Sequence, residues 1–136
     1  MDKVLVDTNI VLDLLAKREL FFLEAQELFT LSDKKKIKLF VSSLTFANTY
    51  YVLSQNLKIE NTRKILRKFK LLVNVLPMDD KIIDLSLDSD FKDFEDAIQY
   101  NTALENNLNL IITRNLKDFK QSVLPVLTAR DYLTTK

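Results

Sequence analysis

Val4-Leu5-Val6-Asp7-Thr8-Asn9-Ile10-Val11-Leu12-Asp13-Leu14-Leu15 is the stretch that decides the fold. Its first three residues form a short, continuously apolar run of strand type. Ile10, Val11, Leu14 and Leu15 then recur at helical spacing. The reading is strand then helix, with an acid at the joint. The same alternation continues outward. A helix is predicted over Phe21 to Lys34, a strand at Leu39-Phe40-Val41, and a helix capped by Thr45 that carries Phe46, Tyr50 and Leu53. A further helix spans Glu60 to Leu72, and Val73 to Leu76 is a third strand closed by Pro77. Asp80 to Leu87 reads as a helix, and the acidic segment Asp88 to Asp96 opens another that continues to about Asn106, with Asn106-Asn107 in the capping place that glycine usually takes. Leu110 to Thr113 and Val123 to Leu127 complete the strands, and a short helix follows over Ala129 to Leu133. Apolar strands alternating with helices indicate an α/β three-layer sandwich around a central, mostly parallel five-stranded sheet.

The 136 residues carry no internal repeat, linker or low-complexity tract, so a single domain over 1–136 is expected. Twenty Lys and Arg oppose nineteen Asp and Glu, which leaves any nucleic-acid binding to local patches. The chain has no Gly, Cys, His or Trp. Without Cys or His there is no thiolate or imidazole metal site, no thiol nucleophile and no Ser-His-Asp triad. Without Gly, a Walker loop or a dinucleotide fingerprint cannot be written. Asp2 and Asp7 bracket the first apolar run, which excludes a signal peptide there, and no later stretch approaches a membrane span; a cytoplasmic location is expected.

Ligands of open parallel sheets bind beyond the carboxyl ends of the strands. Asp7 follows the first strand, Ser42-Ser43 the second, and Thr113-Arg114-Asn115 the fourth, with Asp118 three residues further on. Asp93 and Asp96 are three apart and share one face of a helix start, from which Glu95 is expected to point away. Carboxylates converging on one crevice repel one another unless a cation neutralises them, and oxygen-only ligands suit Mg²⁺ or Mn²⁺. Each residue also has a local role open to it. Asp7 can cap the first helix, Asp93 and Asp96 can complement a helix dipole, and Asn115 and Asp118 can belong to a solvated turn.

VLVDTNIVLDLL (4–15), SSLTFANTYYVL (42–53), DFEDAIQYNTALENN (93–107) and IITRNLKDF (111–119) together resemble the successive motifs of PIN-domain ribonucleases. The pair of DTN after one strand and TRN..DF after another is the specific element. The resemblance implies a parallel α/β sandwich, an acidic cluster holding Mg²⁺ or Mn²⁺, and cleavage of RNA. Small stand-alone members are often VapC-type toxins, which implies a protein antitoxin and a homodimer. By the same resemblance Asp7 and Asp96 are catalytic and metal-ligating, and Asp93 is an accessory acid. Asn48 stands where the family usually has Glu. Asn115 stands where it usually has Asp, with the acid Asp118 nearby. Thr8, Asn9 and Thr113 would orient ligands or water.

Arg63, Lys64, Arg67 and Lys68 form a basic stripe on one helix, either an RNA track or a solvated face. Phe21, Phe22, Tyr50 and Tyr51 suit core packing for the most part, or a partner surface. Two other readings stand beside the nuclease. The replacement of two acids by Asn48 and Asn115 favours a catalytically weakened PIN-like module that binds RNA or protein. A receiver-like phospho-acceptor domain also places Asp at strand ends, but fits the TRN motif poorly.

Overall fold

The computed structural model describes residues 1–136. Strand β1 (Lys3–Val6) leads through Asp7 into helix α1 (Thr8–Leu15), and α2 (Phe22–Asp33) returns the chain to β2 (Lys38–Ser42). Helix α3 (Ser43–Tyr51) runs on into a π-helical turn at Val52–Asn56. It is followed by α4 (Thr62–Phe69), a 3₁₀ turn at Lys70–Leu72, and β3 (Asn74–Leu76). The second half contains α5 (Asp80–Leu87), α6 (Phe94–Glu105), β4 (Leu110–Ile112), a 3₁₀ turn at Leu116–Phe119, β5 (Val126–Leu127) and α7 (Ala129–Thr134).

The five strands lie in the order β3-β2-β1-β4-β5, and every pairing is parallel. β1 is therefore central. Val4 faces Leu39 on one side and Leu110 on the other, and Leu5 faces Phe40 and Ile111. Because side chains alternate along a strand, Val4 and Val6 enter one core layer and Leu5 the other. The first layer joins them to Ile10 and Val11 of α1, Leu28 and Phe29 of α2, and Tyr132 of α7. The second joins Leu5 and Ile111 to Ala103 of α6, Leu108 and Phe119. Burial on both faces explains why the strands read as unbroken apolar runs.

The order also fixes where a site can form. The chain builds β1, β2 and β3 in one direction and then crosses back to lay β4 on the other side of β1. The crevice beyond the carboxyl ends of β1 and β4 is the topological switch point, the preferred ligand position in open α/β sheets.

Several local expectations are corrected. Thr45 is not the cap of α3: β2 passes straight into the helix at Ser42, whose hydroxyl accepts from Leu44 N at 3.2 Å. Helix α4 begins at Thr62 rather than Glu60, because Asn61 sits in the left-handed region at φ 61°. β5 is only two residues long, since Pro125 has no N–H to pair and Ser122 closes a local turn onto Leu124. The π turn after α3 was not anticipated. Asn107 does take the glycine-like place after α6, with φ 57°. None of Phe21, Phe22, Tyr50 and Tyr51 is a buried core residue; the two tyrosines are exposed, Tyr51 by 60%. No helix is long and apolar enough to cross a membrane.

Candidate active site

Asp7 is held at the carboxyl end of β1 by its own backbone, whose N–H donates to Ile112 O of β4 at 3.0 Å. Its side chain is almost fully buried, 6% exposed, and both oxygens are engaged. Oδ1 accepts from Thr8 N at 2.8 Å, which makes Asp7 the cap of α1, and Oδ2 accepts from the buried Thr113 hydroxyl at 2.8 Å. The capping and functional roles are therefore compatible. Thr113 Oγ1 in turn accepts from Asn115 N at 3.1 Å, so the loop after β4 is tied to Asp7 through one hydroxyl.

A recess of about 430 Å³ opens above this pair. Asp7, Thr8 and Asn9 form one side, and Asn48 with Tyr51, Val52 and Asn56 of the α3 and π turn form another. Asp93, Glu95 and Asp96 at the start of α6 line it, as do Asn115 and Asp118 after β4. Asp93 caps α6, its Oδ1 accepting from Asp96 N at 3.1 Å, and Asp118 N donates to Asn115 O at 3.0 Å. Carboxylates distant in sequence thus meet at the switch point. Glu95, expected to point away, belongs to the same lining. Neighbouring residues in a first helical turn splay apart, but the longer Glu side chain still reaches the crevice.

The electrostatics follow from this crowding. Burial, together with Asp7, Asp93, Asp118 and Glu95, raises the Asp96 carboxyl from 3.8 to about 7. Asp7 is also raised: burial outweighs the stabilising bonds from Thr113 and Thr8, and Glu95 and Asp118 add to the rise. A cation held among these carboxylates would favour their ionised forms.

The donors are all oxygens, as a hard divalent cation requires. No three carboxylates are placed so that they could hold a metal ion by themselves. Asn48 and Asn115 line the same recess. Charge counting at Asn48 yields a test: Asn48→Glu is expected to lower the metal-free melting temperature, by adding repulsion, and to enlarge the stabilisation gained from Mg²⁺. Melting curves with and without Mg²⁺ check it, and an unchanged Mg²⁺ response would place Asn48 outside the metal site.

Beneath the recess lies a buried polar hub absent from the sequence reading. Thr8 Oγ1 and Thr45 Oγ1 share a hydrogen bond of 3.0 Å, and Gln99 Nε2 donates to Thr45 at 3.0 Å and to Thr8 at 3.4 Å. Each member lies next to a crevice residue or one helical turn from it: Thr8 follows Asp7, Thr45 precedes Asn48 by three, and Gln99 follows Asp96 by three. The i, i+3 spacing was the readable signal. Two other missed crevice residues differ in this respect. Tyr51 shows the same spacing from Asn48, whereas Asn56 reaches the crevice only because of the π turn.

The basic stripe of Arg63, Lys64, Arg67 and Lys68 is exposed on α4, and none of the four lines the crevice. A second recess of about 450 Å³ lies between α1, α2 and the loop after β4, with Asp13, Phe21 and Arg114 in its wall. Its charges are spent on one another. Arg114 Nε meets Asp13 Oδ2 at 3.0 Å, and Arg130 Nη2 meets Glu24 Oε1 at 2.8 Å.

The family model described as PIN domain matches residues 3–117. Ribonuclease VapC1 of Aquifex aeolicus (strain VF5) is 32% identical over 139 residues, covering 96% of this chain and 93% of that one. Among solved structures, a chain of a toxin–antitoxin complex from Klebsiella pneumoniae is 26% identical, covers 93% of this chain and 97% of that one, and superposes with a TM-score of 0.68. A chain of DNA-bound VapBC from Salmonella typhimurium is 19% identical, with 95% and 99% coverage and a TM-score of 0.70; at that identity the likeness speaks for the fold alone.

Proposed function

The chain belongs to the PIN-domain family, and from that membership we propose that it is a divalent-metal-dependent endoribonuclease, the toxin of a toxin–antitoxin pair. The observation that carries the reading is the oxygen-lined crevice at the switch point, where burial and mutual repulsion raise Asp96 to about 7.

Asp7 and Asp96 would hold Mg²⁺ or Mn²⁺ directly, with Asp93 and Asp118 as accessory acids and the oxygens of Asn9, Asn48 and Asn115 completing the surroundings. When bound, the ion supplies an acidified water and charge stabilisation at a phosphodiester. The chain's own residues set the geometry. Thr113 and the Thr8 N–H orient the Asp7 carboxylate. Asp93 fixes the first turn of α6 and with it Asp96. In the metal-free protein Asp96 is raised to about 7 by burial and by the surrounding carboxylates, so a cation held there would favour its ionised form. The antitoxin partner is supported by the Klebsiella neighbour, a chain of a toxin–antitoxin complex. A second copy of the chain is proposed as the homodimer partner, and residues 1–136 as one domain.

The decisive experiment incubates the purified protein with single-stranded and stem-loop RNA in EDTA, Mg²⁺ and Mn²⁺. Cleavage is expected with either metal and none in EDTA. A folded protein inert across many RNAs and both metals would instead establish the weakened binding module, the reading that Asn48 and Asn115 favour by removing two negative charges.

A further inference from the structure

Beside the acidic crevice, and sharing Asp93, Asp96 and Asp118 with it, lies a separate recess of about 290 Å³ with no hydrophobic residue in its lining. Its other walls carry Lys92, Lys117 and Lys120. All three lysines are exposed, and none is within ion-pair distance of a carboxylate, although three carboxylates share the recess.

The placement of the lysines is built into the fold. Phe91 packs edge-on against Phe119, with ring centroids 5.9 Å apart, and against Tyr100 at 5.1 Å. Lys92 and Lys120 are the next residues after these two phenylalanines, so the ring contact brings their backbones to opposite walls of one groove. Gln121 Nε2 donates to Asp90 O at 3.1 Å and staples the walls together. Lys117 lies between Asn115 and Asp118, whose backbones are bonded at 3.0 Å. Three unpaired cations therefore stand beside the carboxylates, on segments that the packed aromatic rings hold together.

A polyanion cannot lie along an uncompensated acidic crevice, so the strand needs positive charge at its exit. We propose that Lys92, Lys117 and Lys120 form a binding site for the backbone phosphates of the RNA strand next to the bond to be cut. This assignment rests on the ribonuclease reading above. It places the RNA track at this groove rather than on α4, whose basic stripe lines neither recess.

The test is fluorescence anisotropy of a short, labelled, mixed-sequence single-stranded RNA in EDTA, titrated over a series of salt concentrations. Each single-strand phosphate contact contributes about 0.7 to the slope of log affinity against log salt. Lys92→Gln/Lys117→Gln/Lys120→Gln is therefore expected to reduce the slope by about 2 and to weaken low-salt binding by at least about tenfold. The Lys→Arg triple variant should retain both, and Arg63→Gln/Lys64→Gln/Arg67→Gln/Lys68→Gln should change neither. Melting curves verify that each variant is folded. A wild-type protein that binds and cleaves RNA, with a Gln triple variant of unchanged slope, overturns the lysine assignment and leaves the nuclease reading intact. An unchanged slope joined to a larger Mg²⁺-induced stabilisation would show that the lysines serve only to neutralise the carboxylates. A wild-type protein that neither binds nor cleaves RNA overturns both readings.

Discussion

Asp96→Asn is expected to abolish RNA cleavage while making the metal-free protein more stable at pH 8. The loss of activity should be at least about a hundredfold, because the variant removes a carboxylate proposed to hold the metal directly. The gain in stability follows from linkage. In the unfolded chain this carboxyl titrates at 3.8, and in the folded protein at about 7. Between these values the native state binds more protons than the unfolded state, so stability falls as pH rises from about 4 to about 7 and stays low above. The raised Asp7 acts in the same direction. The full displacement corresponds to about 4 kcal/mol. Asp96 is only half-buried, so roughly half of that is expected to appear, or about 6–10 °C in melting temperature. Melting curves in EDTA at pH 5 and pH 8 measure it. Wild type should lose stability over this range, and Asp96→Asn should lose much less. Added Mg²⁺ should restore wild type at pH 8 and do little for the variant. Parallel pH profiles for the two proteins would sink the crowded-carboxylate account.

Arg114→Ala is expected to cost about 3 kcal/mol at pH 7, although Arg114 contributes no donor to the crevice. Asp13 is 2% exposed on α1, with Arg114 Nε 3.0 Å away and the Arg18 guanidinium at 3.6 Å. Burial raises the Asp13 carboxyl even against both cations, so the native site is already strained toward the protonated form. Deleting Arg114 leaves a buried carboxylate without its hydrogen-bonded partner, the costly way to break such a pair. It also removes the guanidinium stacked 4.0 Å above the Phe21 ring. The deficit should shrink as pH falls, because Asp13 then takes up a proton and no longer needs the cation. Asp13→Leu in the Arg114→Ala background should recover most of the loss. Urea melts at pH 7 and pH 4.5 distinguish the outcomes: a deficit independent of pH would mean that packing on Phe21, not charge, is what Arg114 supplies. Since Arg114 stands between Thr113 and Asn115, the same variant should also weaken the hold on the loop that orients Asp7.

Much of the fold was legible because it depends on local pattern. The run Val4 to Val6 followed by helical spacing from Ile10, and the similar run before Thr113, announce strands buried on both faces. The asparagine after α6 announces a cap. Thr45 misled because Ser, Thr and Asp all cap helices, and only the actual end of β2 selects Ser42. The π turn at Val52–Asn56 left no sequence signature. The tyrosines misled because large aromatic rings are usually buried, whereas Tyr51 forms part of a crevice wall.

For function, the sequence by itself determined the chemical alphabet. With no His and no Cys, any metal chemistry must use oxygen ligands, and the acids that follow strands must meet at the carboxyl edge of a parallel sheet. The tertiary structure alone decided which of those acids act on one another. Proton affinity and ion pairing depend on distance and on the exclusion of water, and neither is a property of spacing along the chain. Asp13 and Arg114 are 101 residues apart and form one buried pair. Glu95 joined the crevice against its local pattern, the basic stripe of α4 remained outside it, and Asp96 became a group of pKa about 7 because the fold withdrew it from water and set Asp7, Asp93, Asp118 and Glu95 around it.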